Sequence, residues 1–200
     1  MLLLWRLILP FIASHVVAAH VDTVLVLGGD RQRELSAICE GVPRGVRRVV
    51  LSSGALAEEE ARRAVASKPY TVIIDRRAVD TLSNFTTVVD DLVAAGVRHV
   101  RVTTSPEHAQ RAFALAHIIL RSRGLQVTCI HTPHFAHLNA HEPILWTARD
   151  VVRACLYVVL GLDVAESALA RRHPERLRDR QEWLAGQGPK YALCKRLRDV

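Results

Sequence analysis

The chain has 200 residues, of which 50% are apolar and 5% aromatic, and its formal net charge at pH 7 is +7. This length and apolar content suit one substantial core, exclude a largely disordered chain and leave little room for a second full domain. We expect a hydrophobic segment over residues 1–20, an α/β domain over 21–165 and a basic helical tail over 166–200.

The first segment, "LLLWRLILPFIASHVVAA" at 2–19, is apolar apart from Arg6, Ser14 and His15, and Pro10 interrupts it. It suits a membrane anchor or a secretory signal, and either places the protein at a membrane or in the cell envelope. The alternative is a buried helix of a cytoplasmic protein, since the first predicted strand follows almost directly.

Five runs rich in β-branched residues recur at intervals of about 25 residues, and stretches with helical spacing lie between them. This alternation predicts a three-layer Rossmann-like α/β fold with a mainly parallel five-stranded sheet, followed by C-terminal helices. The predicted strands are 22–29, 47–54, 70–75, 99–105 and 125–130, and the predicted helices between them are 31–41, 57–67, 83–96 and 107–124.

Helix ends and cysteines have clear local signals. Gly41, Gly96 and Gly124 follow predicted helices as C-caps, and Ser105-Pro106-Glu107 is typical of a helix start. The four cysteines (Cys39, Cys129, Cys155 and Cys194) lie far apart, with no C-x-x-C pair. We expect isolated buried thiols and neither a zinc ribbon nor a dense disulfide framework.

Charge is concentrated in residues 171–200, where nine Lys/Arg against four Asp/Glu contribute +5 of the +7. Such a tail favours contact with acidic lipid headgroups. We nevertheless favour an ordinary solvated helix surface for these residues. Nucleic acid is disfavoured, because acids are interspersed and aromatic side chains do not alternate with the basic ones.

In open α/β sheets, ligands bind outside the carboxyl ends of the strands. No G-x-G-x-x-G, P-loop or G-x-S-x-G motif is present, which disfavours a dinucleotide oxidoreductase, a P-loop ATPase and an α/β-hydrolase. The predicted strand ends instead carry glycines, hydroxyls and charged groups, and a polar cluster of Asp80, Thr81 and Asn84 begins the helix after the third strand. A ligand would reach the backbone at the glycines and find donors at the helix starts.

The stretch "TTSPEHAQRA" at 103–112 places His108 and Arg111 three residues apart on the first turns of a helix. They share one helix face at the predicted ligand edge. A histidine there can relay a proton, and an arginine can hold a phosphate or carboxylate. The alternative is a helix face that only bonds to neighbouring loops.

Two other patterns carry weaker predictions. His131, His134, His137 and His141 are numerous enough for zinc, but Pro133 breaks the helix that would align them, so we favour a solvated loop and predict no metal site. Asn84-Phe85-Thr86 matches a glycosylation sequon, which we interpret as coincidence.

Four of these motifs, "VLVLGGD", "SSG" followed by acids, "AVDTLSNFTTVVDDL" and "TTSPEHAQRA", resemble in order and spacing those of the YdcF/SanA/ElyC-like family over about residues 21–130. The resemblance implies a Rossmann-like domain, a role in the bacterial cell envelope and a nucleotide-like ligand, with S-adenosylmethionine as a candidate. Ser53-Gly54-Ala55 departs from the family's usual Ser-Gly-Gly. The implied pocket residues are Gly28, Gly29, Asp30, Ser53, Gly54, Asp80, Thr81, Asn84, Ser105, His108 and Arg111.

The resulting hypothesis is an envelope protein that binds a small anionic or nucleotide-like ligand. If it is an enzyme, transfer or hydrolysis at a phosphate or activated methyl group fits, with His108 as general acid/base, Arg111 as anion clamp and Asp80 orienting the ligand. The alternative is a non-catalytic, membrane-associated sensor or interaction module.

Overall fold

A five-stranded sheet forms the centre of the protein in a computed structural model that describes residues 20–132, 142–161, 174–187 and 197–198. The strands lie in the order β3-β2-β1-β4-β5, and every neighbouring pair is parallel. They are β1 (Thr23–Leu27), β2 (Arg48–Ser52), β3 (Thr71–Asp75), β4 (His99–Thr104) and β5 (Gln126–His131). The predicted Rossmann-like α/β fold is confirmed, whereas the apolar segment 2–19 and much of the basic tail lie outside the described residues.

Helices cover both faces of this sheet. They are α1 (Arg31–Glu40), α2 (Glu58–Ala64), α3 (Ser83–Thr86), α4 (Val89–Ala94), α5 (Pro106–Ser122), α6 (Ile144–Leu160) and α7 (Pro174–Gln187). Successive side chains of a strand point to opposite faces. In β1, Val24 and Val26 accordingly pack with Ile38 of α1, while Leu25 and Leu27 join the core formed with α3 to α6. Burial on both faces explains why the strands are apolar throughout.

The helix predicted over 83–96 is wrong in one respect, because it is two short helices, α3 and α4. Four consecutive β-branched residues, 86–89, span the break between the two helices, and such side chains crowd the preceding turn of a helix. The hydroxyl of Thr87 also donates to the carbonyl of Ser83 at 2.8 Å, which competes with regular helix bonding.

The glycine predictions for helix ends are confirmed in position. Gly96 and Gly124 follow α4 and α5 with φ of 74° and 81°, in the left-handed region that favours glycine. Gly41 caps α1 differently, with a right-handed φ of −83° and its N–H donating to the carbonyl of Ala37.

Helix α6 has an unusually apolar outer face. Exposed large hydrophobic residues on it are Ile144, Leu145, Trp146, Val152, Leu156 and Leu160. In the described ranges, no helix combines the length and the apolarity needed to cross a bilayer.

The three cysteines within the described ranges, Cys39, Cys129 and Cys155, are free and partly buried, which confirms isolated thiols for those three. Burial raises the pKa of Cys129 to about 12, so this thiol stays protonated and unreactive at neutral pH.

Candidate functional site

A cleft of about 470 Å³ opens at the carboxyl edge of the sheet. It lies where the strand order reverses between β1 and β4, which is where ligands bind in open α/β sheets. The loops after β1, β3 and β4 form most of its wall, and α6 closes one side. The lining residues are Leu27, Gly28, Gly29, Asp30, Arg33, Asp80, Thr81, Asn84, Thr104, Glu107, His108, Arg111 and Arg149.

The structure brings together eight of the eleven residues proposed for the pocket: Gly28, Gly29, Asp30, Asp80, Thr81, Asn84, His108 and Arg111. The other three, Ser53, Gly54 and Ser105, are not among the residues that line the cleft. They lie behind its wall and hold the loops in place.

Gly54 is a packing residue for the loop after β1. A Cβ added to Gly28 would lie 2.6 Å from the Cα of Gly54, and the N–H of Gly28 donates to the carbonyl of Ser52 at 2.8 Å. The two loops touch through their backbones, so only glycine fits at Gly28 without moving one of them.

A buried carboxylate ties the same two loops together. Glu34 of α1 is 0% exposed and accepts from the backbone N–H groups of Gly29, Ala55 and Leu56 at 2.7 to 3.0 Å. Gly29 itself has φ of 131°. Glu34 therefore sets the position of the glycine turn that forms the floor of the cleft.

Ser53 adopts a left-handed backbone, with φ of 56°, which is strained for any residue with a Cβ. Two contacts hold it there. Its N–H donates to the carbonyl of Asp75 at 2.7 Å, and its hydroxyl donates to the carbonyl of Ala78. Ser53 therefore joins the loop after β2 to the loop after β3.

Ser105 is the N-cap of α5, but its side chain does not cap the helix. Its hydroxyl oxygen accepts from Nη1 of Arg33 at 2.8 Å instead, and the same guanidinium donates to the carbonyl of Gly28 at 3.1 Å. Arg33 is only 6% exposed. It bridges the loops after β1 and β4 across the strand-order reversal.

Asp80 has a capping role and a second contact. Its Oδ1 accepts from the N–H of Ser83 at 2.8 Å, and Oγ of Ser83 accepts from the N–H of Asp80, a reciprocal arrangement like a capping box. Its Oδ2 accepts from Nη1 of Arg153 on α6 at 2.9 Å. Both carboxylate oxygens therefore have partners inside the protein.

Asn84 is 7% exposed, and its Oδ1 accepts from the hydroxyl of Ser52 at 2.9 Å. The amide nitrogen is thus the group that it can offer to a ligand in the cleft. Burial also makes this asparagine a poor glycosylation acceptor in the folded protein, which agrees with interpreting its sequon as coincidence.

His108 and Arg111 converge on one carboxylate. Oε1 of Glu142, just before α6, lies 2.8 Å from Nδ1 of His108 and accepts from Nη2 of Arg111 at 2.6 Å. Nη1 of Arg111 donates to Asp150 at 3.2 Å. The His108 side chain is 41% exposed, whereas that of Arg111 is only 12% exposed. Carboxylates of the protein therefore occupy both terminal nitrogens of Arg111, and its role as an anion clamp stays a prediction.

Charges in the lining are balanced rather than positive. Three acids (Asp30, Asp80 and Glu107) face three arginines (Arg33, Arg111 and Arg149), with His108 beside them. A lining of this kind offers both donors and acceptors and suits a ligand that carries groups of both signs.

Two carboxyl groups in this region have lowered pKa values. Burial by itself would raise the pKa of Glu107, but hydrogen bonds from the Ser105 hydroxyl and its own backbone N–H, with the charges of His108 and Arg33, lower it overall. Burial would also raise the pKa of Asp150, but hydrogen bonds from Arg149 and Arg153 lower it overall. Both groups are ionised at neutral pH.

The histidine group after β5 falls mostly outside the described residues, since 133–141 are not described. Within the part of the chain that the structure describes, no three His, Cys, Asp or Glu side chains come together as metal ligands. His131 packs its ring against Phe113 at a centroid distance of 5.4 Å.

Sequence reasoning missed the buried charges that shape the cleft, among them Arg33, Glu34, Glu142, Asp150 and Arg153. Glu34 had a usable signal, because an acid four residues after a cap residue lies on the helix face above the turn. Asp150 and Arg153 had a weaker signal, since they are charged residues three apart in the mainly apolar helix α6. Glu142 had none, because its partners lie more than 30 residues earlier.

Comparison with known proteins gives no match: no family model, no curated protein and no solved structure matches this chain. The resemblance to the YdcF/SanA/ElyC-like family therefore stays a prediction carried by the four motifs.

Proposed function

We propose that the cleft binds a small anionic or nucleotide-like ligand. The observation that carries this proposal is the convergence of three polar βα loops, with His108 and Arg111, on one cleft at the reversal of strand order. Its volume of about 470 Å³ falls within the usual range of small-molecule sites.

The balanced charge of the lining narrows the chemistry. A polyphosphate would gain little from a lining whose arginines already face carboxylates, whereas a ligand with both a cationic and an anionic group would find partners for each. S-adenosylmethionine has this character and remains a candidate cofactor.

If the protein is an enzyme, His108 is the proton-transfer group. Its Nδ1 faces Glu142 and its ring is partly exposed, so Nε2 is available to a substrate in the cleft. Asp80 orients the ligand through the turn that it caps, and Arg111 contributes positive charge. Transfer or hydrolysis at a phosphate or activated methyl group fits these groups.

A thermal-shift screen of the full chain tests the binding proposal, with S-adenosylmethionine, nucleotides, nucleotide-sugars and phosphate as probes. A ligand at a hundredfold its dissociation constant adds about 2.7 kcal/mol to the free energy of unfolding. We expect one probe to stabilise the wild type and to lose most of this effect in His108→Ala. His20→Ala, which removes a side chain 60% exposed before β1, is the matched control and should keep it. No stabilisation by any probe would contradict the proposal.

A second candidate is a non-catalytic module at the surface of a membrane in the cell envelope, and the apolar outer face of α6 favours it. The net charge of +7 suits acidic headgroups, and exposed apolar side chains suit the interfacial region. We expect the chain to sediment with phosphatidylglycerol vesicles and the double variant Leu145→Glu/Val152→Glu to sediment less. Sedimentation that is equal for both proteins would remove α6 as the reason for this candidate.

A further inference from the structure

The Glu142 carboxylate occupies the position in which His108 and Arg111 would hold an anion. A single oxygen, Oε1, accepts from Nη2 of Arg111 at 2.6 Å and lies 2.8 Å from Nδ1 of His108. Carboxylates and phosphates use the same donors and the same distances in charge-assisted hydrogen bonds. The protein's own side chain therefore marks an anion subsite at the edge of the cleft.

Arg111 does not depend on Glu142 for its placement. Nη1 of Arg111 remains bonded to Asp150, which is 1% exposed and is itself held by Arg149 and Arg153 at 2.8 and 3.1 Å. Arg111 would therefore keep its position if Glu142 moved away. His108 lies one turn earlier on the same helix, α5.

Glu142 is incompletely satisfied where it lies. Its side chain is 12% exposed, and among the described residues its Oε2 is buried without a hydrogen-bond partner. An unsatisfied buried oxygen costs free energy, which offsets part of the gain from the two bonds at Oε1. This carboxylate is a less complete occupant than an anion whose oxygens all find donors.

We infer that Glu142 is a displaceable occupant of an anion subsite formed by His108 and Arg111, and that a carboxylate or phosphate group of the ligand takes its place. This inference rests on the proposed function and adds the subsite at which the ligand's anionic group binds. It also assigns Glu142 as a built-in competitor. The measured affinity for an anion is the intrinsic affinity of the subsite multiplied by the fraction of molecules in which Glu142 does not fill it.

Isothermal titration calorimetry with inorganic phosphate, at constant ionic strength and on the full chain, tests this inference. Glu142→Gln removes the competing charge with almost no change in shape. If Glu142 fills the subsite in nine-tenths of wild-type molecules or more, the variant should bind phosphate at least about tenfold more tightly. Glu59→Gln is the matched control, since it removes the same charge from an exposed position on α2, and its affinity should equal that of the wild type.

The gain in phosphate affinity must also depend on the donors assigned to the subsite. Adding Arg111→Gln to Glu142→Gln should return the affinity to the wild-type value or below. A gain that survives this second change would mean that phosphate binds elsewhere, and it would overturn the inference. Glu142→Ala should show the same gain as Glu142→Gln. If neither variant folds, Glu142 is a structural residue and the inference is wrong, because a displaceable group is not essential to the fold.

The outcomes separate this inference from the proposed function. A screening probe that stabilises the wild type, together with unchanged phosphate affinity in both Glu142 variants, would overturn the inference and leave the function standing. Phosphate binding that appears only in the Glu142 variants, and is lost with Arg111→Gln, would support both. No binding by any protein to any probe would overturn both.

Discussion

Replacing Glu34 with alanine should destabilise the protein and damage the cleft together. The carboxylate is 0% exposed and serves three backbone N–H groups, those of Gly29, Ala55 and Leu56. Glu34→Ala leaves all three without this acceptor, and of the three residues only Leu56 is buried, so its N–H is the one closed to water. At about 0.5–1.5 kcal/mol for each of the N–H groups of Gly29 and Ala55 and about 1–3 kcal/mol for that of Leu56, the free energy of unfolding should fall by about 2–6 kcal/mol.

Urea denaturation followed by circular dichroism measures this loss, provided that the transition is two-state and its slope is unchanged. Glu34→Gln should lose less, because one amide oxygen remains as an acceptor. Glu59→Ala, on the exposed face of α2, should change stability by about 0.5 kcal/mol at most. A loss below about 1 kcal/mol for Glu34→Ala would refute the reasoning, since these N–H groups would then have found other partners at little cost.

Three further predictions concern the loops and the charges around the cleft. In Gly28→Ala the new Cβ would lie 2.6 Å from the backbone of the loop after β2, so the thermal midpoint should fall by the equivalent of about 2 kcal/mol or more. The control Gly186→Ala places a Cβ in open space on α7 and should be neutral or slightly stabilising. Burial would raise the pKa of Asp150, but hydrogen bonds from arginines lower it overall in the folded protein. The stability that Asp150 contributes is therefore complete above its ordinary pKa of 3.8 and is lost as the pH falls through the lower pKa of the folded state. Urea titrations at several pH values should show this acid loss in the wild type and a smaller one in Asp150→Asn. Arg153→Met, at a position 4% exposed, removes the arginine that binds Asp80 and one of the three that bind Asp150, and it should cost about 3 kcal/mol in the same assay. Arg62→Met, whose side chain is 69% exposed, should cost almost nothing.

Sequence reasoning succeeded where a signal is local. The sequence predicted all five strands to within two residues at each end. The signals used were the periods of strands and helices, the glycine caps and the alternation of strands with helices, and each of them depends on neighbouring residues. The long helix over 83–96 failed for an equally local reason, since a β-branched run outweighed the apolar period.

The candidate site was predictable in outline because the carboxyl ends of parallel strands must share one edge. That rule brought Gly28, Asp80 and His108 to one cleft although they are up to 80 residues apart. It could not say which polar residues face the cleft and which bind the loops behind it. Ser105 is the clearest example, because a cap position in the sequence became an acceptor for Arg33 in the fold.

The sequence by itself determined the α/β architecture and the edge at which polar groups gather, because both follow from short-range periodicity and from the geometry of parallel strands. Only the tertiary structure decided how the charges pair. Arg111 meets Glu142 and Asp150 because α6 returns against α5, and Glu34 reaches three N–H groups because two loops touch. Such pairings depend on distances between residues far apart in the chain, and a linear pattern contains no measure of those distances.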